Sequence, residues 1–319
     1  MKKIAILTSG GDAPGMNACI RACVRCAINS GLEVYGVDRG YKGLVQNRIF
    51  PMDSHSVCEI IHRGGTILKS ARCLEFKDTE TRKIAADNLK NLGIEGLVVI
   101  GGDGSITGAK LLSDEYGINV VGIPGTIDND LAYTDFTLGF DTAVNTVLWA
   151  INALRDTMTS HDRVSILKVM GRHCGDIALY AGICGGAEYI LVPEVPYDIT
   201  KIAYEIKQNK ERGKTASIII LAEGAGNEQE VKTIVSTISG ADVKFTTLGH
   251  VQRGGTPTMA DRMLAAKFGT KAIQLLIEGK TNRVVGCKGQ EIFDLNITEA
   301  LSQKKKFDIN LYNMATVLC

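Results

Sequence analysis

Seven short runs of mostly apolar, often β-branched residues recur along the chain, bounded by glycine or polar breaks. They are KIAILT (3–8), EVYGV (33–37), GLVVIGG (96–102), INVVGI (118–123), VSILKVM (164–170), EYILV (188–192) and SIIILAEG (217–224). Runs of this kind read as strands buried on both faces. Between them lie stretches of helical periodicity, among them 81–92, 140–156 and 200–212. Strand alternating with helix restricts the chain to mainly parallel α/β sheets, with ligands gathered in the loops beyond the strand C-termini. A length of 319 residues, 45% of them hydrophobic, predicts a large core divided between two domains. No low-complexity segment, proline-rich linker or strong repeat marks the boundary; only GGD recurs, at 10–12 and 101–103.

A formal net charge of +1 supplies no overall field toward nucleic acid or an anionic membrane, so any anion site must be local. The opening MKKIAILTSGGD carries an apolar run too short for a signal peptide or a membrane span, and the expected location is the cytoplasm. Nine cysteines without framework spacing fit a reducing compartment. Three of them stand close together in CIRACVRC (19–26), a spacing that elsewhere holds an iron–sulfur cluster. Pro14 and Gly15 precede a stretch with no breaker to residue 30, which predicts a helix. On it Cys19, Cys23 and Cys26 fall within about 60° of one another beside Met16, Ala22 and Ala27, with Cys19 and Cys26 about 10.5 Å apart along the axis. That describes a packed core face and not a cluster site. Arg21 and Arg25 project from the opposite side, as a solvated strip or as one that awaits an anion.

TSGGDAPG follows the first strand and VIGGDGS a later one. Each turns a strand into a helix start, where glycine lets the backbone approach a ligand and exposed N–H groups favour an anion. Asp103 in GGDG can hold Mg²⁺, so the pair points to a nucleotide's phosphates. GKT occurs at 213–215 and 279–281, but Gln208 and Gln274 stand where a P-loop needs its first glycine. Protein-kinase signatures are missing as well.

PGTIDND (124–130) places Asp128 and Asp130 in a loop after INVVGI, at the same end as the glycine loops. Two carboxylates so near can separate in pKa and leave one a base. Arg72, Arg163, Arg172 and Arg253 each lie near a strand end or in a glycine-containing loop, a local supply of guanidinium forks suited to phosphate. Together these features point to phosphoryl transfer, where catalysis is mostly positioning plus charge stabilisation.

TSGGDAPGMN, VVIGGDGS, PGTIDND, VMGR-x-CGD, AEG and LGH-x-QRGG, in this order over almost the whole chain, resemble the bacterial ATP-dependent 6-phosphofructokinases. The resemblance implies two similar three-layer α/β/α domains with the active site in the cleft between them. Residues 1–139 with 252–303 would form a larger ATP-binding domain, and 140–251 with 304–319 a smaller domain for fructose 6-phosphate. It also implies a homotetramer whose subunits complete one another's sites. By motif, Gly11, Arg72, Cys73, Gly102, Asp103, Gly104, Ser105 and Gly108 would surround ATP, with Asp103 near Mg²⁺. Asp128 would be the general base on the sugar 1-hydroxyl, with Thr126, Arg172, Gly11 and Arg72 serving the transferred phosphoryl group. Asp130, Met170, Gly171, Glu223, Lys244, His250 and Arg253 would hold the sugar phosphate, together with Arg163 from a neighbouring subunit. Arg21, Arg25, Arg155, Gly186, Glu188, Arg212 and Lys214 resemble the family's effector site for ADP or phosphoenolpyruvate.

Relatives that use pyrophosphate resemble GGDD and PKTIDND; Gly104 and Gly125 stand here instead. A carboxylate at 104 would crowd and repel a nucleotide's α-phosphate, so ATP is the expected donor. Lys244 replaces a usual arginine, which keeps the charge but loses the fork and predicts weaker sugar-phosphate binding. Ser54, Thr215 and Ala216 replace usual cations of the effector site and predict weaker effector binding. A pyrophosphate-dependent enzyme, a non-catalytic nucleotide sensor and a cysteine-cluster redox protein are the competing readings.

Overall fold

A computed structural model describes residues 1–214 and 216–318. Strands and helices alternate through β1 (Lys3–Thr8), α1 (Met16–Asn29), β2 (Glu33–Val37), α2 (Gly40–Val45), β3 (Ile49–Met52), α3 (Thr79–Asn91), β4 (Gly96–Gly101), α4 (Asp103–Tyr116) and β5 (Asn119–Pro124). The chain continues through α5 (Phe140–Thr159), β6 (Arg163–Val169), α6 (Asp176–Gly185), β7 (Tyr189–Leu191), α7 (Ile199–Glu211), β8 (Ser217–Ala222), α8 (Glu228–Ser239) and β9 (Asp242–Thr247). It ends with α9 (Met259–Ile277), β10 (Arg283–Lys288), β11 (Glu291–Asn296), α10 (Ile297–Ser302) and α11 (Ile309–Leu318). All seven expected strands form, and β3, β9, β10 and β11 join them.

Two compact units divide these elements. The larger comprises Met1–Ile127, Leu131–Thr142 and Arg253–Lys305; the smaller comprises Asp128–Asp130, Ala143–Gln252 and the chain from Lys306 onward.

In the larger unit the strand order is β11-β10-β5-β4-β1-β2-β3, parallel except at its two edges, where β11 and β3 run antiparallel to their neighbours. From β1 the chain passes through α1 to β2 on one side, then returns to β4 on the other. The sheet therefore reverses its winding between β1 and β4, and the crevice beyond their C-termini is the place where such sheets bind ligands. Ala5, Leu7, Leu97, Val99 and Val120 fill the core beneath one face.

Helix α1 packs on α9 in the same unit, and this contact accounts for CIRACVRC. Cys19, Cys23, Met16 and Ala27 are fully buried, whereas Cys26 is only half-buried at the margin of the face. The Cys23 thiol lies 3.8 Å from the Gly269 carbonyl oxygen. A Cβ on Gly269 would stand 2.8 Å from the Ala22 Cβ and 3.1 Å from the Cys19 carbonyl oxygen, so glycine is what lets the helices approach this closely. Hydrogen bonding to Cys19 and burial push the Cys23 thiol well above its ordinary pKa, the reverse of what a thiolate ligand needs. Among the described residues all eight cysteines are free, and no cluster of three or more His, Cys, Asp or Glu side chains could hold a metal.

The smaller unit carries an all-parallel sheet of order β7-β8-β6-β9. Ile166, Ile219 and Leu221 pack with Ala203 and Ile206 of α7 and Val231 and Val235 of α8. None of the described helices is long and apolar enough to cross a membrane.

Candidate active site

The two glycine loops lie side by side because β1 and β4 are neighbours in register, Thr8 opposite Ile100, and the Ser9 N–H donates to the Ile100 carbonyl. Gly10 has φ 86°, a left-handed turn that glycine adopts without strain. A Cβ on Gly101 would fall 2.5 Å from the Ser9 carbonyl oxygen, so the close approach of the loops requires glycine there. Gly102 caps α4, whose first residue is the exposed Asp103. Behind this helix start the Tyr41 hydroxyl donates to the Ser105 carbonyl at 2.5 Å, and its ring would meet a Cβ on Gly108 at 2.9 Å. At Gly104 a Cβ would meet nothing within 4 Å, so the space beside it is open.

The glycines that open the two GKT tripeptides each follow a helix end. Gly213 follows α7 with φ 95° and Gly279 follows α9 with φ 73°, the left-handed residue that terminates many helices. Thr215 lies outside the described residues.

Arg72 is exposed and Cys73 half-buried, in the segment that leads into a short 3₁₀ turn, Leu74–Lys77. Sequence reasoning passed over Asn17, which sits buried in TSGGDAPGMN and anchors the loop before Arg72. Its amide donates to the carbonyls of Arg63 and Gly64, and its Oδ1 accepts the Ile67 N–H at 2.7 Å. Arg253 belongs to the larger unit, where its guanidinium donates to the Asp12 carbonyl and occupies the space a Cβ on Gly11 would need. Thr126 is half-buried, and its carbonyl accepts the Thr137 hydroxyl at 2.6 Å.

In the smaller unit the other expected residues gather where three strands end. Met170, Gly171 and Arg172 follow β6, Glu223 follows β8 and His250 follows β9. The Gln252 side chain accepts the Met170 N–H, and the Arg172 N–H donates to Glu223 Oε2 at 3.1 Å. Gly171 and Arg172 have φ 134° and 54°, left-handed conformations that persist for a non-glycine residue only where packing holds them. A Cβ on Gly224 would fall 2.3 Å from the Arg172 carbonyl oxygen, so the two loops are pressed together.

Against them lies the acidic turn. Asp128 is 2% exposed, and its Oδ2 is 3.5 Å from Nε of Arg172, whose side chain is 63% exposed. Asn129 has φ 52° and donates to Asp176 Oδ2 at 2.9 Å. Asp130 is half-buried. A buried carboxylate beside an open guanidinium can accept a proton from a hydroxyl while the cation meets an incoming anion.

Arg163 and Lys244 are not brought to this group within the subunit. Arg163 opens β6, so the strand separates it from Met170 by roughly 20 Å. Asp242 joins the two cations, its carboxylate 2.9 Å from Lys244 Nζ and 2.8 Å from Arg163 Nε. These contacts, Lys244 first, hold the Asp242 carboxyl below its ordinary pKa.

Of the remaining expected residues, the smaller unit assembles Arg155, Gly186, Glu188 and Lys214. Arg155 Nη2 donates to the Gly185 and Gly186 carbonyls at 2.7 Å, and Glu188 pairs with Lys214 at 3.1 Å. Arg212 is the exposed C-cap of α7. Arg21 and Arg25 lie on α1 of the larger unit, and Ser54 is exposed there.

Adjacent glycine turns at a sheet's switch point, and in the smaller unit a buried carboxylate facing a guanidinium, describe an α/β protein equipped to handle phosphate groups. The phosphofructokinase family model matches residues 3–276. Over 318 residues the chain is 58% identical to ATP-dependent 6-phosphofructokinase 1 of Clostridium perfringens, covering 100% of this chain and 99% of the relative. The ATP-dependent 6-phosphofructokinase of Clostridium botulinum is likewise 58% identical over the same coverage. Among solved structures, phosphofructokinase from Saccharomyces cerevisiae superposes with a TM-score of 0.88 at 37% identity, covering 100% of this chain and 47% of the yeast chain. The chain belongs to the phosphofructokinase family.

Proposed function

We propose that this chain transfers the γ-phosphoryl group of ATP to the 1-hydroxyl of fructose 6-phosphate, giving fructose 1,6-bisphosphate and ADP, the committed step of glycolysis. The observation that carries the reading is the buried Asp128 carboxylate facing the exposed Arg172 guanidinium at 3.5 Å.

In this reading the larger unit binds ATP and the smaller unit binds the sugar phosphate. Gly11, Arg72, Cys73, Gly102, Asp103, Gly104, Ser105 and Gly108 line the nucleotide site. Backbone N–H groups at the two glycine turns meet the phosphates, and the open space beside Gly104 suits a nucleotide. Asp103 is a single exposed carboxylate at a helix start, which fits Mg²⁺ because that ion takes most of its ligands from phosphate and water. When bound, Mg²⁺ neutralises charge on the β- and γ-phosphates. Asp128 takes the proton of the 1-hydroxyl as its oxygen bonds to the γ-phosphorus and the bond to ADP breaks. Arg172, held through Nε in the smaller unit, presents its terminal amino groups to the transferred group. Thr126, Gly11 and Arg72 of the larger unit are assigned to the same group. Asp130, Met170, Gly171, Glu223 and His250 of the smaller unit orient the sugar phosphate, and Arg253 is the one residue of the larger unit assigned to it.

Arg163 and Lys244, at the far end of the β6–β9 pair, serve the sugar phosphate of a neighbouring subunit. The roughly 20 Å length of β6 supports that sharing, because one copy cannot present both ends of the strand to one small ligand. The assembly is a cytoplasmic homotetramer. Arg21, Arg25, Arg155, Gly186, Glu188, Arg212 and Lys214 form an effector site for ADP or phosphoenolpyruvate.

The test supplies purified protein and Mg²⁺ with fructose 6-phosphate and either ATP or pyrophosphate, with Asp128→Ala in parallel. Turnover with ATP alone, lost by at least about two orders of magnitude in the variant, is expected of a general base. Turnover with pyrophosphate overturns the donor assignment, and an active Asp128→Ala overturns the base.

A further inference from the structure

The loop from β6 to α6 grips the acidic turn at three places in the smaller unit. Arg172 faces Asp128, the Cys174 thiol lies 4.0 Å from the Asn129 carbonyl oxygen, and Asp176 Oδ2 accepts the Asn129 amide at 2.9 Å. Two of these contacts fall on Asn129, the left-handed residue between the two carboxylates. Asn129 is 1% exposed and Asp176 is 6% exposed. A left-handed residue with a Cβ costs roughly 1–2 kcal/mol, less for asparagine, and it stays put only where its surroundings hold it. Rotation of the backbone at 129 would swing the flanking Asp128 and Asp130 away from their positions. Asp176 is suited to prevent that, because it opens α6, where the helix dipole favours negative charge and fixes the acceptor in place.

We infer that Asp176 is a positioning residue for the transfer: by holding the Asn129 amide it fixes the left-handed turn that aims the Asp128 carboxylate. The inference rests on the reading of Asp128 as the base. Asp176 acts through Asn129 and not on the substrate. A carboxylate that merely complements the start of α6 would support folding and leave turnover alone, which makes the two roles separable.

Steady-state kinetics on the full-length enzyme separates them. Asp176→Ala removes the acceptor and should lower kcat roughly tenfold to a hundredfold, with KM for ATP within about threefold. Asp176→Asn retains a carbonyl acceptor and should recover most of that loss. Asp176→Ala added to Asn129→Ala should cost little further kcat, because both break the same Asn129–Asp176 hydrogen bond. An unchanged kcat in Asp176→Ala, failure of Asp176→Asn to recover activity, or losses that multiply in the double variant would overturn the inference. Where Asp176→Ala does not fold, Asn129→Ala breaks the same bond from the donor side, and a normal kcat there is equally decisive. Asp128→Ala separates the two readings. If it is inactive while Asp176→Ala is normal, only the positioning role falls; if it is as active as wild type, the base assignment falls and the positioning role with it.

Discussion

Asp261 gives the fold of the larger unit a pH dependence whose size can be worked out. Its carboxylate, in the first turn of α9, is buried and accepts the Gly139 N–H at 2.8 Å, the Thr142 N–H at 2.8 Å and the Thr142 hydroxyl at 2.5 Å. Burial outweighs these bonds and pushes its carboxyl up to about 6. In the unfolded chain an aspartate titrates near pH 3.9. The folded protein therefore holds the proton more tightly, so the stability from this group is full below about pH 3.9 and is lost as pH rises through about 6. A shift of about two units at about 1.4 kcal/mol each makes that loss about 3 kcal/mol. Asp261→Asn keeps the shape and does not titrate. Urea unfolding at one protein concentration from pH 4 to 7.5 should show wild type losing about 3 kcal/mol more than the variant across this window. Parallel profiles, or a wild type that gains on the variant as pH rises, would show that the bonds from Gly139 and Thr142 outweigh burial and would refute the reasoning.

Gly104→Asp should fold normally, since a Cβ there meets nothing within 4 Å. A carboxylate about 4 Å from a phosphate repels it by up to about 4 kcal/mol near a surface, so kcat/KM for ATP should fall by at least about tenfold at unchanged thermal stability. Lys244→Arg should lower KM for fructose 6-phosphate by roughly threefold to tenfold, because the guanidinium fork binds a phosphate through two hydrogen bonds; an unchanged or raised KM contradicts this. Initial rates at sub-saturating fructose 6-phosphate should respond to phosphoenolpyruvate and to ADP, and a flat titration would remove the effector reading of Arg21, Arg25, Arg155 and Lys214.

How far the fold was legible in the sequence depended on where each strand lies in its sheet. Central strands such as β4 and β8 are buried at every position and read as unbroken apolar runs. The strands that escaped notice lie mostly at edges. β3 holds Pro51, which an edge strand tolerates, and β9 exposes Asp242 and Lys244, so its residues carry the composition of a loop. β10 is internal, but its apolar run VVGC is only four residues long and ends at the Lys288–Gly289 turn, too brief to separate from a connection.

The candidate site divides along a similar line. Glycine loops and the acidic turn are local, since a strand, a tight turn and a helix start occur within about ten residues, and their chemistry can be read in order. The contacts that hold them are not local: Asp176 lies 47 residues from Asn129, and Asp261 lies 122 residues from Gly139. From sequence, an aspartate in the first turn of a helix reads as an ordinary complement to the dipole. What sets Asp176 apart is the amide turned toward it. That amide is available because Asn129 gives up the common backbone conformation, and the bond to Asp176 offsets part of that cost. A position that looks like helix punctuation in one segment thus becomes part of the support for a carboxylate in another, and only the three-dimensional pairing connects them.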